Sequence, residues 1–530
     1  MTTYGIDLGT TYSCIAYVDE FGKPVVIKTR EGEDTLPSVV WFSSPDNVVV
    51  GRTAKSSALL EPDSVISLVK RQMGTDVEWE FHGKQHTPET ISALILRELA
   101  QAAEEECGVP VNDVVVTVPA YFGIAEREAT RNAGTIAGLN VLNLVPEPVA
   151  AALHYDALSD GGDRTILVYD LGGGTFDTTV IRLCGNDIQV VCTDGDHHLG
   201  GADWDARIVD HLIEQLLEAR PEGEDPGADE SFRQELANAA EQLKKDLTRA
   251  ESRPYTMRVS GQPVKVELSR ATFEELTSEL LDRTLDITGR TIETAKTLGV
   301  DHFDDVLLVG GASRMPAVAQ KLAERFGFSA RLKDPDLAVA KGAALSALIE
   351  SVKSMAFEDT ALEEIADQTS LSKEQVKQLV DKKVTYVVPR SFGIRIIDSN
   401  DPKLERECIA HLLPANTPLP AAPRTEMFGT VAPNQTAVKI EVWEQAGEVA
   451  SAELYDNAKI AEGVMTGLPP LPAGSPIEVR IGMDEHGRLT VDAKEMSTGT
   501  KLRVEATVEG LSAEEVKAAR DAIGRYTMDG

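Results

Sequence analysis

The chain is short of cysteine, of positive charge and of long apolar runs. Its five cysteines among 530 residues (Cys14, Cys107, Cys184, Cys192, Cys408) are scattered. No CxxC pair and no Cys/His cluster at zinc spacing occurs, which argues against a zinc module and a disulfide scaffold. An odd set of unpaired cysteines suits a reducing compartment. His82 and His86 lie four apart, but Gly83 argues against a helix there, so they read as an exposed pair rather than metal ligands. Lys and Arg total 52 against 86 Asp and Glu, a formal net charge of −34. Such a surface repels nucleic acid and anionic membranes. No apolar run reaches membrane-spanning length. The N-terminus enters strand-like sequence without a basic or apolar leader. The GxxxxGK[ST] phosphate loop is also missing. The expectation is a soluble, cytoplasmic protein with no nucleic-acid and no membrane partner.

What is present is enough apolar sequence, 42%, to build more than one core over 530 residues. Residues 1–350 alternate short apolar runs such as "DVVVTVP" (113–119), "TILVYD" (165–170) and "DVLLVGG" (305–311) with helical segments such as 89–106, 124–138, 205–219 and 233–250. That alternation predicts an α/β architecture. The turn Asp-Leu-Gly recurs once per half, in "YGIDLGTTYS" (4–13) and "VYDLGGGTFDTT" (168–179), each time between two strands. An internally duplicated, two-lobed domain over 1–353 follows. The stretch 220–231 reads as a charged Pro/Gly loop. Residues 354–384 read as a helical connector of two short amphipathic helices, the second with a capping box at Ser372 and Gln375. Residues 385–510 turn strand-rich, with Gly and Pro every ten residues or so and a hairpin turn at "DEHG" (484–487). They predict an all-β sandwich. Residues 511–530 hold one helix, capped by Ser512 with Glu515.

The repeated turn has a chemical reading. Glycines between strands let backbone N–H groups approach an anion, and Thr10, Thr11 and Thr175 add hydroxyl donors. An Asp at each strand end, Asp7 and Asp170, offers hard oxygen to Mg²⁺, through water. Two such turns facing across a cleft would grip one polyphosphate from both sides. A single copy is more simply a tight hairpin. Two copies, with a third glycine pair at "LLVGGASR" (307–314), favour the cradle. Glu241, Lys244, Lys245 and Thr248 share one helix face at i, i+3, i+4, i+7 spacing, which alone is usually just a solvated face.

The ordered motifs "GIDLGTTYSC", "VKRQMG", "VVVTVPAYF", "PEPVAAALHY", "YDLGGGTFD", "GDHHLGGADWD", "VGGASRMP" and "DPDLAVAKGAA" resemble those of the seventy-kilodalton heat-shock chaperones, the bacterial DnaK family. The resemblance implies an actin-like ATPase domain and a β-sandwich that binds extended apolar peptides of unfolded proteins. Its implied cofactors are ATP or ADP, Mg²⁺ and K⁺. It implies that Gly9, Thr10, Thr11 and Tyr12 form one phosphate loop and Gly172, Gly173, Gly174 and Thr175 the other, with Gly200 and Gly201 beside them. Asp7, Asp170 and Asp177 match the carboxylates around the cations. Lys70 matches the catalytic lysine, and Glu147 the carboxylate that positions metal-bound water. Thr175 belongs to the catalytic set as well. Glu241, Lys244, Lys245 and Thr248, with Gly310, Gly311, Ala312, Arg314 and Asp336, match the adenosine pocket, where the family usually has Arg in place of Lys245. Pro119 and Arg127 match a proline switch and its partner. Ile394, Ile397, Phe428, Val431, Val438 and Ile440 fall where the family lines its peptide channel, although alternating apolar strand residues are equally plain core.

Four departures accompany the resemblance. The leucine-rich interdomain linker is replaced by the helices at 354–383 and "VTYVV". Asn143 stands in place of an arginine that contacts J-domain co-chaperones, and this removes a charge-assisted contact. "IIDSNDPKLERE" (396–407) replaces a short Gly-rich loop over the channel. The helical lid is reduced to one truncated helix, so bound peptide should exchange faster. The expected activity is a slow ATPase coupled to polypeptide binding and release in protein folding and the stress response, with a nucleotide-exchange factor as a further partner. Two other readings stay open: a nucleotide-dependent regulatory scaffold with uncoupled ATPase, and a small-molecule kinase sharing the phosphate cradle. The strand-rich 385–510 counts against the kinase.

Overall fold

The structure is a computed structural model that describes residues 2–157, 162–219, 229–259, 262–357, 362–369, 371–403, 405–485, 487–506 and 511–528. Most of the expected loop at 220–231, and His486 of the expected turn at 484–487, lie outside them.

Two six-stranded sheets repeat one plan. In the first, Asn140–Pro146, Asp113–Val118, Tyr4–Asp7, Tyr12–Val18 and Pro24–Val26 lie side by side. In the second the order is Ala330–Leu332, Asp305–Val309, Arg164–Leu171, Phe176–Cys184 and Asp187–Asp196. Each Asp-Leu-Gly turn joins an antiparallel pair, with Asp7 opposite Cys14 and Asp170 opposite Asp177. On its other side each leading strand has a parallel neighbour, Asp113–Val118 or Asp305–Val309. Those parallel neighbours are buried on both faces, which is why they read as continuous Val/Leu runs. The duplication seen in the sequence is thus a duplication of sheet topology. The helix Ala338–Phe357 crosses back from the second lobe to pack on Tyr4–Asp7 and Glu147–Ala157.

Residues 354–357 complete that long helix rather than starting the connector. Leu362–Thr369 and Lys373–Asp381 form the two short helices, and Ser372 and Gln375 do make a reciprocal capping box. They bury Ile365 and Val376 against Val352. The "VTYVV" segment is not a helical spacer. Lys383–Thr385 adds a sixth, parallel strand to the second sheet, pairing Ile188 with Val384. The apolar β-branched pair Val387 and Val388 is buried directly after it.

Two four-stranded antiparallel sheets follow. Glu407–Leu413, Phe392–Ile397, Val438–Gln445 and Asn457–Met465 form one; Ala421–Gly429, Pro476–Met483, Leu489–Glu495 and Lys501–Ala506 form the other. Alternate residues face inward, so Phe392, Val442, Val479, Ile481, Leu489 and Val491 share one core. The architecture is that of a mixed α/β protein: a duplicated two-lobed domain, a β-sandwich and a short C-terminal helix.

That last helix, Ala513–Ile523, lies against the first lobe, packed on Ile124–Ile136 and Pro88–Cys107. It overturns one expectation. His82 is exposed, but His86 is buried at 4% exposure. The hairpin of Trp79–Phe81 and Lys84–His86 turns Phe81 and His86 inward onto Phe42, and Tyr526 closes over them. The burial comes from 440 residues away in sequence, so local spacing carried no sign of it.

Candidate nucleotide site and its link to the sandwich

The two glycine turns face each other between the lobes. A Cβ on Gly173 would collide with the Thr11 side chain, and one on Gly174 with that of Thr10. Only glycine permits this approach, and it puts Thr10, Thr11 and Thr175 on one small region. A third element joins them: Gly201 N–H donates to Gly172 O at 2.9 Å and Ala202 N–H to Gly173 O at 2.8 Å. The helix Gly201–Ala219 therefore starts at the second loop. A helix N-terminus beside two glycine turns is a favourable place for an anion. Arg71 ties the lobes across the same region, donating to Gly174 O at 3.0 Å and pairing with Asp203 at 2.5 Å.

Beneath the turns lies a buried charge cluster. Lys70 Nζ donates to Glu147 Oε1 at 2.5 Å and is 4% exposed. Asp7 accepts from Thr117 Oγ1 at 3.1 Å, and Asp177 Oδ1 accepts from Tyr121 N–H at 3.1 Å. Burial and then Glu147 push Asp7 and Asp177 each up to about 7. Asp170 is raised well above its ordinary range, by burial, Glu147, Asp177 and Asp7. Three buried carboxyl groups and the half-buried Asp7 around one ammonium are short of positive charge. Asp177 Oδ2 is buried without a partner among the described residues. This oxygen-only donor set fits a hard cation. No three of these groups come together as direct metal ligands among the described residues.

The expected adenosine residues fall into two groups. Glu241, Lys244 and Lys245 lie on the helix Glu230–Leu247, which Thr248 ends with its hydroxyl on Lys245 O. Lys244 turns to Gly201 O and Asp205, both at 2.7 Å, beside Ala312. Lys245 pairs with Glu241 at 2.6 Å and donates to the Tyr12 hydroxyl at 3.0 Å. Separately, Gly310 adopts φ +80° and opens the turn Gly311–Arg314, and Arg314 pairs with Asp336. Lys55 of the first lobe pairs with Glu241 of the second, and Tyr12 donates to the same carboxylate at 2.8 Å. Burial alone would raise Glu241, but Lys55 and Lys245 outweigh it and hold the carboxyl down at about 2. This latch joins the two lobes. Glu241→Ala is expected to speed nucleotide release about tenfold, read by stopped-flow displacement of a fluorescent nucleotide.

A comparison with protein families settles what this scaffold is. The profile described as Hsp70 protein matches residues 3–81 and 75–526, essentially the whole chain. The chain belongs to the Hsp70 family. It is an Hsp70-type chaperone in the broad sense, from a family that binds ATP or ADP with Mg²⁺, hydrolyses ATP and binds unfolded polypeptides. No helix among the described residues is long and apolar enough to cross a membrane.

In this Hsp70 the sandwich sits directly on the two-lobed domain. Arg390, 5% exposed, donates to Tyr121 O at 3.0 Å and to Glu126 at 2.9 Å. Glu444 accepts from Ile124 N–H at 3.3 Å, and Tyr121 Oη donates to Gly447 O at 3.3 Å. Glu448 pairs with Arg283 and Arg290 of the second lobe. Asn416 Oδ1 accepts from Thr193 N–H at 2.9 Å. Pro119 and Arg127 bracket this contact: Pro119 O accepts from Phe122 N–H, and Arg127 donates to Phe122 O at 3.0 Å. Asn143 donates to Glu350 at 3.2 Å.

The six expected channel residues do not gather in one groove. Ile394, Val438 and Ile440 are 3%, 9% and 5% exposed and belong to the core between the sheets. Strand alternation turns them inward with Phe392 and Val442. Phe428 packs at the edge of that core, Ile397 is half-buried, and Val431 is exposed. The charged loop after Ile397 is braced by itself: Asp401 accepts from the N–H groups of Lys403, Glu405 and Arg406, and Arg406 pairs with Asp398 and Glu453. Sequence reasoning missed Lys55, Arg71, Tyr121 and Arg390. Arg71 lies inside the quoted "VKRQMG" and Tyr121 inside "VVVTVPAYF"; Lys55 and Arg390 carry no local signal.

Proposed function

We propose that the chain is a slow, Mg²⁺-dependent ATPase whose nucleotide state governs how its sandwich holds extended apolar polypeptide segments. The observation that carries this reading is Tyr121. Its N–H holds Asp177 in the carboxylate cluster, and its carbonyl and hydroxyl hold the sandwich. One residue therefore touches both halves, and a change at the phosphates has a short mechanical route outward.

Asp7, Asp170 and Asp177 would hold the hydrated Mg²⁺ and a K⁺, which supply neutralising charge to the phosphates. The facing turns at Thr10–Thr11 and Gly172–Thr175 bind the polyphosphate through N–H and hydroxyl donors. Lys70 offsets charge that develops on the transferred phosphoryl group. Glu147 fixes the Lys70 ammonium, and Asp177 Oδ2 is the oxygen available to orient the attacking water. Burial of the whole cluster excludes other water.

The test is the dissociation rate of a fluorescent extended apolar peptide in ADP and then in ATP. Release at least tenfold faster in ATP supports the coupled cycle. Equal rates would mean a scaffold with uncoupled halves. Val431→Asp is expected to weaken peptide binding about tenfold with an unchanged melting temperature, because Val431 is 54% exposed. Val438→Phe is the poorer probe, since it also overpacks the core.

A further inference from the structure

Residues 511–528 are embedded in the first lobe. Ile523 and Tyr526 are 2% and 4% exposed and belong to the same core as Phe42, Phe81 and Ile91. The Tyr526 ring meets Phe42 edge-on at 6.2 Å, and the Lys84 ammonium lies 4.6 Å from its centre. Its hydroxyl is 3.2 Å from His86 Nε2. Burial, with Lys84 adding to it, pushes His86 down to about 4, so the ring is neutral and can accept that bond. Backbone bonds follow. Thr527 N–H donates to Asp46 O at 2.9 Å, and Val48 N–H donates to Thr527 O at 3.0 Å. The Thr527 hydroxyl donates to Asn47 Oδ1 at 2.7 Å, and Arg97 donates to Ile523 O at 2.8 Å.

The helix Ala513–Ile523 has a single apolar stripe. Val516, Ala519 and Ile523 form it, and all three pack on the first lobe. The rest of the helix surface carries Glu514, Glu515, Lys517 and Arg520, which are exposed. A cover for an apolar peptide channel needs an apolar face turned to the sandwich, and this helix has none to spare.

We propose that residues 511–528 are the permanent occupant of a groove on the first lobe, a fixed strap that stays there in every nucleotide state and never covers the sandwich. The groove is built from Phe42, Asp46–Val48, Phe81, His86 and Arg97. Leaving it would strand a buried aromatic, a histidine nitrogen and two backbone pairs, so it is not a contact made for a cycle. The consequence that this helix does not cover bound peptide rests on the chaperone reading; the strap itself does not.

Amide hydrogen exchange of the full chain, followed by mass spectrometry without nucleotide, with ADP and with ATP, tests this. Segments 43–50 and 511–528 are expected to exchange slowly and alike in all three conditions, within about threefold. Exchange about tenfold faster at 511–528 in either nucleotide would mean a travelling lid and would overturn the strap. The same data report nucleotide binding through protection of 9–13 and 170–176. No protection there would count against the nucleotide reading, while slow exchange at 511–528 without nucleotide would still support the strap. A disulfide between Asn47→Cys and Thr527→Cys supplies the second readout, because these side chains already touch. Turnover and peptide release within about twofold of the reduced protein are expected; a locked-out response to ATP would overturn the proposal.

Discussion

Lys70→Ala is expected to lower ATP turnover at least about a hundredfold while leaving ADP affinity within about tenfold. The asymmetry follows from the geometry. Lys70 is held by Glu147 beneath the glycine turns, with the Phe122 ring 5.8 Å away. Its charge is needed most when the γ-phosphoryl group is in flight. The ammonium also lowers Asp7, Asp170 and Asp177, all of which burial raises. Without it, these carboxyl groups hold their protons more tightly and bind the hydrated cation less well. Single-turnover hydrolysis beside an ADP titration separates the two effects. Unchanged hydrolysis in a folded variant would remove Lys70 from the mechanism.

Arg390→Met is expected to uncouple the halves. The ratio of peptide release rates in ATP and ADP should fall to about one, while hydrolysis persists. Arg390 joins the sandwich to Tyr121 and Glu126, and its guanidinium lies 4.9 Å over the Tyr121 ring. Its loss leaves Glu126 and Glu444 facing each other in a dry interface. Breaking a buried ion pair from one side costs about 3–5 kcal/mol, enough to reverse docking. Burial already pushes Glu444 up to about 7 from its ordinary 4.5, against the pull of Arg390. The docked form thus holds a proton that the undocked form releases, so docking weakens as pH rises from about 4.5 through about 7. Small-angle scattering across that window reads both effects. A compact Arg390→Met protein with a normal response to ATP would mean that other contacts carry the coupling.

The duplicated lobes were legible in sequence because their signals are local. Asp-Leu-Gly between apolar runs, and glycines with threonines, are written within a dozen residues. The sandwich was legible for the same reason, from its two-residue alternation. What escaped was long-range. Lys55 and Glu241 are 186 apart in sequence, and Arg390 and Tyr121 are 269 apart. His86 looked exposed because Tyr526 could not be placed over it. In the sandwich the alternation identified inward positions correctly, but inward proved to mean core for Ile394, Val438 and Ile440. Nor could composition show that "VTYVV" extends a sheet, since a three-residue strand has no period to read.

That added strand has a second consequence. The outer margin of Asp187–Asp196 is satisfied at Asp187–Gln189 by Lys383–Thr385, and at Thr193 by the Asn416 side chain. Both partners belong to the connector and the sandwich. Were Lys383–Thr385 to leave with the sandwich, Asp187–Gln189 and Thr193 would lose these partners and bare their outer N–H and C=O groups. Such a margin invites strand addition from a neighbouring molecule. The docked arrangement is therefore also a guard against self-association, and the separated form is the one in which concentration matters.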